Sequence, residues 1–583
     1  MSNTVQAAGV IATCLLAATA LIAPAPRTRA TAMLASLAIL APLLTIELWH
    51  RPALEALRAH PTRLAAITAA AAIAIAILTP VFHHRPPLLP LAIVAVLPFR
   101  VPLGAAGQTA NLLLPLYLVI TAGALAAAWR AWRANPEWPG NEREHATEPA
   151  NASAAGGPVK GPPRRGAPTP QPWGIVTGTG PAARKPWSLA NAPQALVLVL
   201  ATAIVLYALQ ATYSPDLDKA TETAGFFLAP FALMTRQLLD APWTHRLFRQ
   251  LLAVVAIEAV ALSLIAFVQL ATHHLFWNHE VIVANEFHRF FRVNSLFWDP
   301  NIFGRFLSLA ILAVVAAMLW ARSRRTALAA AITTAILWVA LVLTFSQSSL
   351  VALLAGLVVL AALRWSVRWT AVIAALAAIA ALVYLVAFGS QIKFQLGSEK
   401  ALDKTTSGRA DLVRGGIELA RRRPVLGFGS GSFVQSFRQE SKRNSSVAAS
   451  HTEPVTIAAE QGAVGIVVYL ALLAAALTVL VGGLRGAMPG WPRRGAGAAD
   501  VTADGTGRAP PPTDWLVARA AAAAAFVAMI VHSMTYAAFL TDPLTWALLA
   551  FAVVLSAGPL DSQLAPQPAR RATGVAWLGP SRA

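Results

Sequence analysis

Residues 300–321 read PNIFGRFLSLAILAVVAAMLWA and residues 326–345 read TALAAAITTAILWVALVLTF, with Arg322, Arg324 and Arg325 between them. Each run has about the twenty residues that an α-helix needs to cross a hydrocarbon layer of roughly 30 Å. Neither run alternates apolar with charged residues, as a surface helix of a soluble protein does. The pair reads as two membrane spans joined by a short basic turn.

The same pattern recurs along the whole chain. Further candidate spans lie near 7–25, 31–49, 64–82, 88–103, 109–128, 193–210, 223–240 and 248–271, and then near 347–363, 369–388, 454–482, 516–537 and 541–558. The segment 88–103 is the weakest of these. Pro90, Pro98 and Pro102 interrupt it and Arg100 charges it, which suits a re-entrant element as well as a span. The fold class expected is an all-α, polytopic integral membrane protein with roughly 13–15 transmembrane helices and one long extracytoplasmic loop.

Composition supports that class. Of the 583 residues 57% are hydrophobic and 12% charged, too few charges to coat a soluble globule of this size. The net charge of +20 is not read as a nucleic-acid footprint, because Lys and Arg sit mainly in the connectors, where they orient spans. The single cysteine, Cys14, excludes an intramolecular disulfide and any CxxC metal or redox site. Because more spans follow the first apolar run at once, that run reads as a membrane segment and not as a cleaved leader.

Charge bias sets the expected sidedness. Connectors bearing Arg236, Arg246 and Arg249, then Arg322, Arg324 and Arg325, then Arg364 and Arg368, and the tail with Arg570 and Arg571, alternate correctly if all are cytoplasmic. The Pro/Gly/Arg-rich stretches 130–190 and 484–514 then fall in the cytoplasm as linkers between the blocks of spans at 1–129, 191–388, 454–483 and 515–583. Outside lie 213–224, the His/Phe-rich loop 272–298 and the long segment 389–453.

That last segment breaks the charge rule. Between Lys393 and Arg443 it carries Lys400, Lys404, Arg409, Arg414, Arg421, Arg422, Arg423, Arg438 and Lys442. Long loops do translocate regardless of charge, so a solvated surface is one reading. A surface for an anionic, phosphate-bearing substrate is the other. Residues 409–423 have helical pattern, with Leu412, Val413, Ile417 and Ala420 to one side and Arg414, Glu418 and Arg421 to another, suited to lie along lipid phosphates. After Pro424, the run Gly427-Phe428-Gly429-Ser430-Gly431-Ser432 is expected to end that helix and turn the chain, in preference to cradling a phosphate.

Next come His451 and Thr452, then nine residues to Gln461, then Gly462, Ala463, Val464 and Gly465, with Glu460 just before the first glycine. Upstream stand Gly408-Arg409, RRRPVLGFGSGSF, Asp299-Pro300-Asn301 at a span start and Thr344-Phe345-Ser346 between two spans. In their order these elements resemble the O-antigen ligase family, which includes lipopolysaccharide O-antigen ligases and related polysaccharide polymerases. The resemblance covers roughly 290–480 by its motifs, and the N-terminal part only as a series of spans. One departure stands out. Where many members have Ser-Arg-Gly after the Thr-Phe turn, this chain has Ser346-Gln347-Ser348, so an arginine expected to face the donor diphosphate is missing.

The resemblance implies glycan transfer from an undecaprenyl-diphosphate carrier to an acceptor hydroxyl at the outer face of a bacterial plasma membrane. The implied partners are that donor, a glycan, lipid or polymer acceptor, and membrane lipids, with no nucleic acid. A diphosphate leaves as a stable anion and needs charge stabilisation, which arginines supply. The acceptor needs its proton removed, for which a histidine suffices. No cofactor and no metal is expected. His273, His274 and His279 lack carboxylate spacing apart from Glu280, and their aromatic neighbours suit an interfacial belt.

The site residues expected from the resemblance are His451 as general base, with Glu460 orienting it or pairing with an arginine. Arg292, Arg305, Arg409 and Arg414 are expected on substrate, and Asn301, Gly462 and Gly465 as motif positions. Arg305 is independently conspicuous, because a charge inside a span calls for a polar cavity to face; it is the first candidate to replace the charge missing at Gln347. The alternative function is a transporter or flippase for a lipid-linked or anionic solute, against which no convincing repeat between the two halves is found.

Overall fold

The computed structural model describes residues 3–49, 58–105, 108–133, 191–276, 278–287, 290–376, 409–441, 450–484, 487–488 and 513–558. The chain is an all-α polytopic membrane protein. Among the described residues 11 helices are long and apolar enough to cross a membrane.

The N-terminal block comprises α1 (Asn3–Ile22), α2 (Pro26–Trp49), α3 (Pro61–His84), the short α4 (Leu88–Val96) and α5 (Leu114–Arg133). Between α4 and α5 runs a two-stranded antiparallel hairpin, β1 (Val101–Ala105) and β2 (Gln108–Leu112), in which Val101 pairs with Leu112. The weak candidate span at 88–103 is thus corrected. It holds nine helical residues, too few to cross, and then turns back as hairpin, with Arg100 in the bend.

After the first linker come α6 (Ala192–Ala211) and α7 (Leu217–Thr223), which runs through a π-helical turn (Ala224–Leu228) into α8 (Ala229–Leu239). Most of the connector expected at 213–224 is therefore helical, started by Asp216, whose side chain accepts the Lys219 N–H. Then follow α9 (His245–Thr272), α10 (His279–Phe287), α11 (Pro300–Leu319), α12 (Arg324–Leu343), α13 (Gln347–Arg364) and the short α14 (Val367–Leu376). The candidate span 369–388 and the basic stretch 389–408 lie mostly or wholly outside the described residues. The final elements are α15 (Arg409–Arg422), α16 (Phe433–Ser441), α17 (Glu453–Gly482), α18 (Asp514–Ser533) and α19 (Pro543–Ala557).

Helix α11 sits at the centre, most of it buried against α12, α13 and α18, whereas α3 faces outward along its span and packs mainly on α5. Close approach rests on small residues, as expected where lipid offers no hydrophobic drive between helices. A Cβ on Gly304 would come 2.7 Å from Ser349 Oγ, and one on Gly356 would strike Leu312. Two helix starts share one device. Asp299 accepts the Asn301 N–H ahead of Pro300, and Asp542 accepts the Leu544 N–H at 2.8 Å ahead of Pro543. These starts, the end of α6 and the beginning of α17 gather at one end of the bundle, where the site lies.

Candidate active site

Helix α17 is broken near its start. Gly462 takes φ 64°, ψ −158°, so the helix hydrogen bonds lapse around it. The segment that follows α15 replaces them. Phe428 N–H donates to Ala459 O at 3.0 Å and Gly429 N–H to Glu460 O at 2.8 Å, while Ala463 N–H donates to Pro424 O at 2.8 Å and Val464 N–H to Val425 O at 3.3 Å. Irregular backbone at a membrane boundary is tolerated only when it is satisfied in this way. The fit demands glycine on both sides, since a Cβ on Gly462 would meet Val425 O and one on Gly427 would meet Glu460 O. The Gly-rich run therefore clasps the broken helix, with Gly427, Gly429 and Gly431 all at positive φ.

Glu460 completes the clasp. Its buried carboxylate accepts the backbone N–H of Gly431 at 3.0 Å and of Phe433 at 3.1 Å, and so fixes the start of α16. Beneath α15 and α16, Leu412, Leu419, Phe428, Phe433, Phe437 and Ala459 form their own apolar cluster. The buried side of α15 thus faces protein. Its Arg422 is held by Glu418 at 2.8 Å and by Glu440.

Just before α17 the chain makes a tight turn that holds His451 at φ 64°. Ser450 N–H donates to Thr456 Oγ1 at 3.2 Å, and Ser450 Oγ donates to Thr452 O at 2.8 Å. A left-handed backbone on a non-glycine residue costs about 1–2 kcal/mol, and such strain gathers at functional sites. Thr452 occupies the N-cap of α17, but its hydroxyl makes no capping bond.

His451 and Glu460 both line a cavity of about 510 Å³. Arg305, Arg100, Lys219, Asp299, Glu453 and Tyr536 line it too. Arg305 is 2% exposed and pairs with the equally buried Asp542, and its guanidinium lies 5.7 Å over the Tyr536 ring. Its Nε and Nη1 are buried without a hydrogen-bond partner, two donors available to an anion. Arg100 arrives from the bend before β1. Burial lowers its guanidinium from the ordinary value, while Asp542 opposes that shift and Arg305 adds to it. Burial likewise raises the Tyr536 hydroxyl, helped by Asp299. Lys219 is shared with Glu222 at 3.3 Å, and Glu453 accepts the Phe539 N–H at 3.1 Å.

The other sequence candidates fall elsewhere. Arg292 is not among the cavity-lining residues; it donates to Thr344 O at 3.0 Å and to Asn301 Oδ1 at 3.4 Å, so Arg292 and Asn301 tie the start of α11 to the turn between α12 and α13. Arg414 is exposed on α15, and the side chain of Arg409 lies outside the described residues. Gly465 lines the cavity. Gln347 is exposed and is not among the cavity-lining residues. His273 packs edge-on to Phe291 and His274 to Phe276.

Residues 332–470 match the family model of the O-antigen ligases. That segment is similar to the O-antigen ligases. Among curated proteins, none matches it. The matched segment supplies His451, Glu460, the clasp and Gly465, whereas Arg100, Lys219, Arg305 and Tyr536 come from outside it. Sequence reading missed Lys219, Glu453 and Tyr536 and left Arg100 as an oddity in a poor span. The available signals were that charge itself and the second Asp-Pro helix start at Asp542, which places Arg305's partner.

Proposed function

We propose that this protein is an O-antigen ligase-like enzyme that transfers an oligo- or polysaccharide from an undecaprenyl-diphosphate carrier to an acceptor hydroxyl at the outer face of the plasma membrane, as a ligase or a polymerase. The acceptor oxygen attacks the anomeric carbon as His451 takes its proton. The bond from that carbon to the phosphate oxygen breaks, and undecaprenyl diphosphate departs with the electron pair. Arg305 and Arg100 hold the departing charge. No metal takes part in this scheme.

The observation that carries the reading is Arg305, buried in a cavity shared with His451 and presenting two unpartnered N–H donors. Arg100 supports it as a second guanidinium in the same cavity. Of the remaining arginines, Arg292 serves by holding the start of α11, and the roles of Arg409 and Arg414 on the substrate rest on the sequence resemblance alone. Lipid-linked and surface glycans of a deletion strain test the proposal. Accumulated full-length lipid-linked chains indicate a ligase, accumulated single units indicate a polymerase, and unchanged glycans in both pools refute glycan transfer.

A further inference from the structure

A second cavity, of about 420 Å³, lies between α9, α11, α18 and α19. Its walls are built from facing alanines, among them Ala313 and Ala317 on α11 and Ala518 and Ala521 on α18, so the helices leave a slot at membrane depth. Water is disfavoured in an apolar slot, and an empty one forfeits dispersion contacts. Hydrocarbon is the filler that a bilayer supplies.

One end of the slot is polar. Arg249 and Arg322 line it together with Trp320, whose indole Nε1–H is buried without an acceptor. Asp514 stands 3.8 Å from Arg322, too far and too exposed to neutralise it fully. Two guanidinium groups and an indole N–H at the mouth of an apolar slot match the phosphate and ester oxygens of a glycerophospholipid whose acyl chain runs inside. The only other charge along the walls among the described residues is Glu258, deeper in.

We infer that this slot is a binding site for a glycerophospholipid, with its phosphate at Arg249 and Arg322 and one ester oxygen at Trp320. That lipid is not the glycan donor. Its headgroup lies at the C-terminal end of α11, whereas Asp299 and Arg305 mark the other end. The 20 residues between them span about 30 Å, so the two headgroups belong to opposite leaflets.

The test is native mass spectrometry of the full-length protein in mild detergent, with extraction of the retained lipid. Wild type is expected to keep one phospholipid per chain through detergent washing. Trp320→Phe removes the N–H and little else, and Arg249→Gln removes an exposed charge; each is expected to lower retention about tenfold, the loss of one charge-assisted or orphan-satisfying hydrogen bond. Arg325→Gln, exposed and not among the slot-lining residues, is expected to retain lipid as wild type does. Absence of retained phospholipid in wild type overturns the inference, and so does equal retention across all four proteins. Should either slot variant unfold, as read by its melting temperature, Arg322→Gln takes its place under the same criteria.

Discussion

Glu460 holds Gly431: the carboxylate Oε2 accepts the glycine N–H at 3.0 Å, while Oε1 accepts the Phe433 N–H at 3.1 Å. The side chain thus faces the cavity from α17 but spends both oxygens on the loop. Glu460→Ala leaves two buried N–H groups unpaired, at about 1–3 kcal/mol each. A fall in melting temperature is expected together with lost transfer. Wild-type stability with activity lost would instead assign Glu460 to orienting His451.

Gly462→Ala places a side chain at φ 64° against Val425 O and breaks the match between α17 and the clasp. Strain of about 1–2 kcal/mol comes from the backbone alone, before the collision is counted. Poor yield and a lowered melting temperature are expected in detergent. A variant as stable as wild type would show that the break in α17 is not held by this glycine.

His451→Ala is expected to lose transfer by about 10²- to 10⁴-fold while the protein stays inserted and folded, because the residue is proposed to take a proton. His451→Gly relieves the left-handed backbone and should be at least as stable, yet equally inactive. Full activity in either purified variant would end the base assignment.

Removing Arg305 leaves Asp542 as an unpaired buried charge, so Arg305→Ala is expected to cost about 3–5 kcal/mol of stability as well as activity. Arg100→Gln breaks no such pair and is expected to reduce transfer in a folded protein. Arg305 is the candidate to replace the charge missing at Gln347, so the converse double variant, Arg305→Ala with Gln347→Arg, tests whether the two positions share a role. With Gln347 exposed and outside the cavity lining, the double variant is now expected to stay inactive. Rescue, measured as recovered transfer by purified protein, would put Gln347 within reach of the donor.

Charge on the leaving diphosphate is assigned to guanidinium groups, so transfer is expected to survive excess EDTA. Activity lost to the chelator and regained with Mg²⁺ or Mn²⁺ would reassign that role to a cation and remove it from Arg100 and Arg305.

The sequence by itself determined the membrane class, since uninterrupted apolar runs of span length have no stable place in water. It also located most of the spans and, at the site, the Asp-Pro start of α11, Gly462 and Gly465 as motif positions, and a histidine just before α17. These are local properties, written within a few residues of chain. Only the tertiary structure decided which charges share the cavity. Arg100 and His451 are brought together by helix packing, which no local pattern encodes, and the same packing leaves Arg292 and Gln347 out of the cavity lining and Arg414 exposed. The role of the glycine-rich run was decided there too. Its backbone donors and acceptors answer those released by the break at Gly462, and hydrogen bonds between segments so far apart in sequence exist only once the helices have packed.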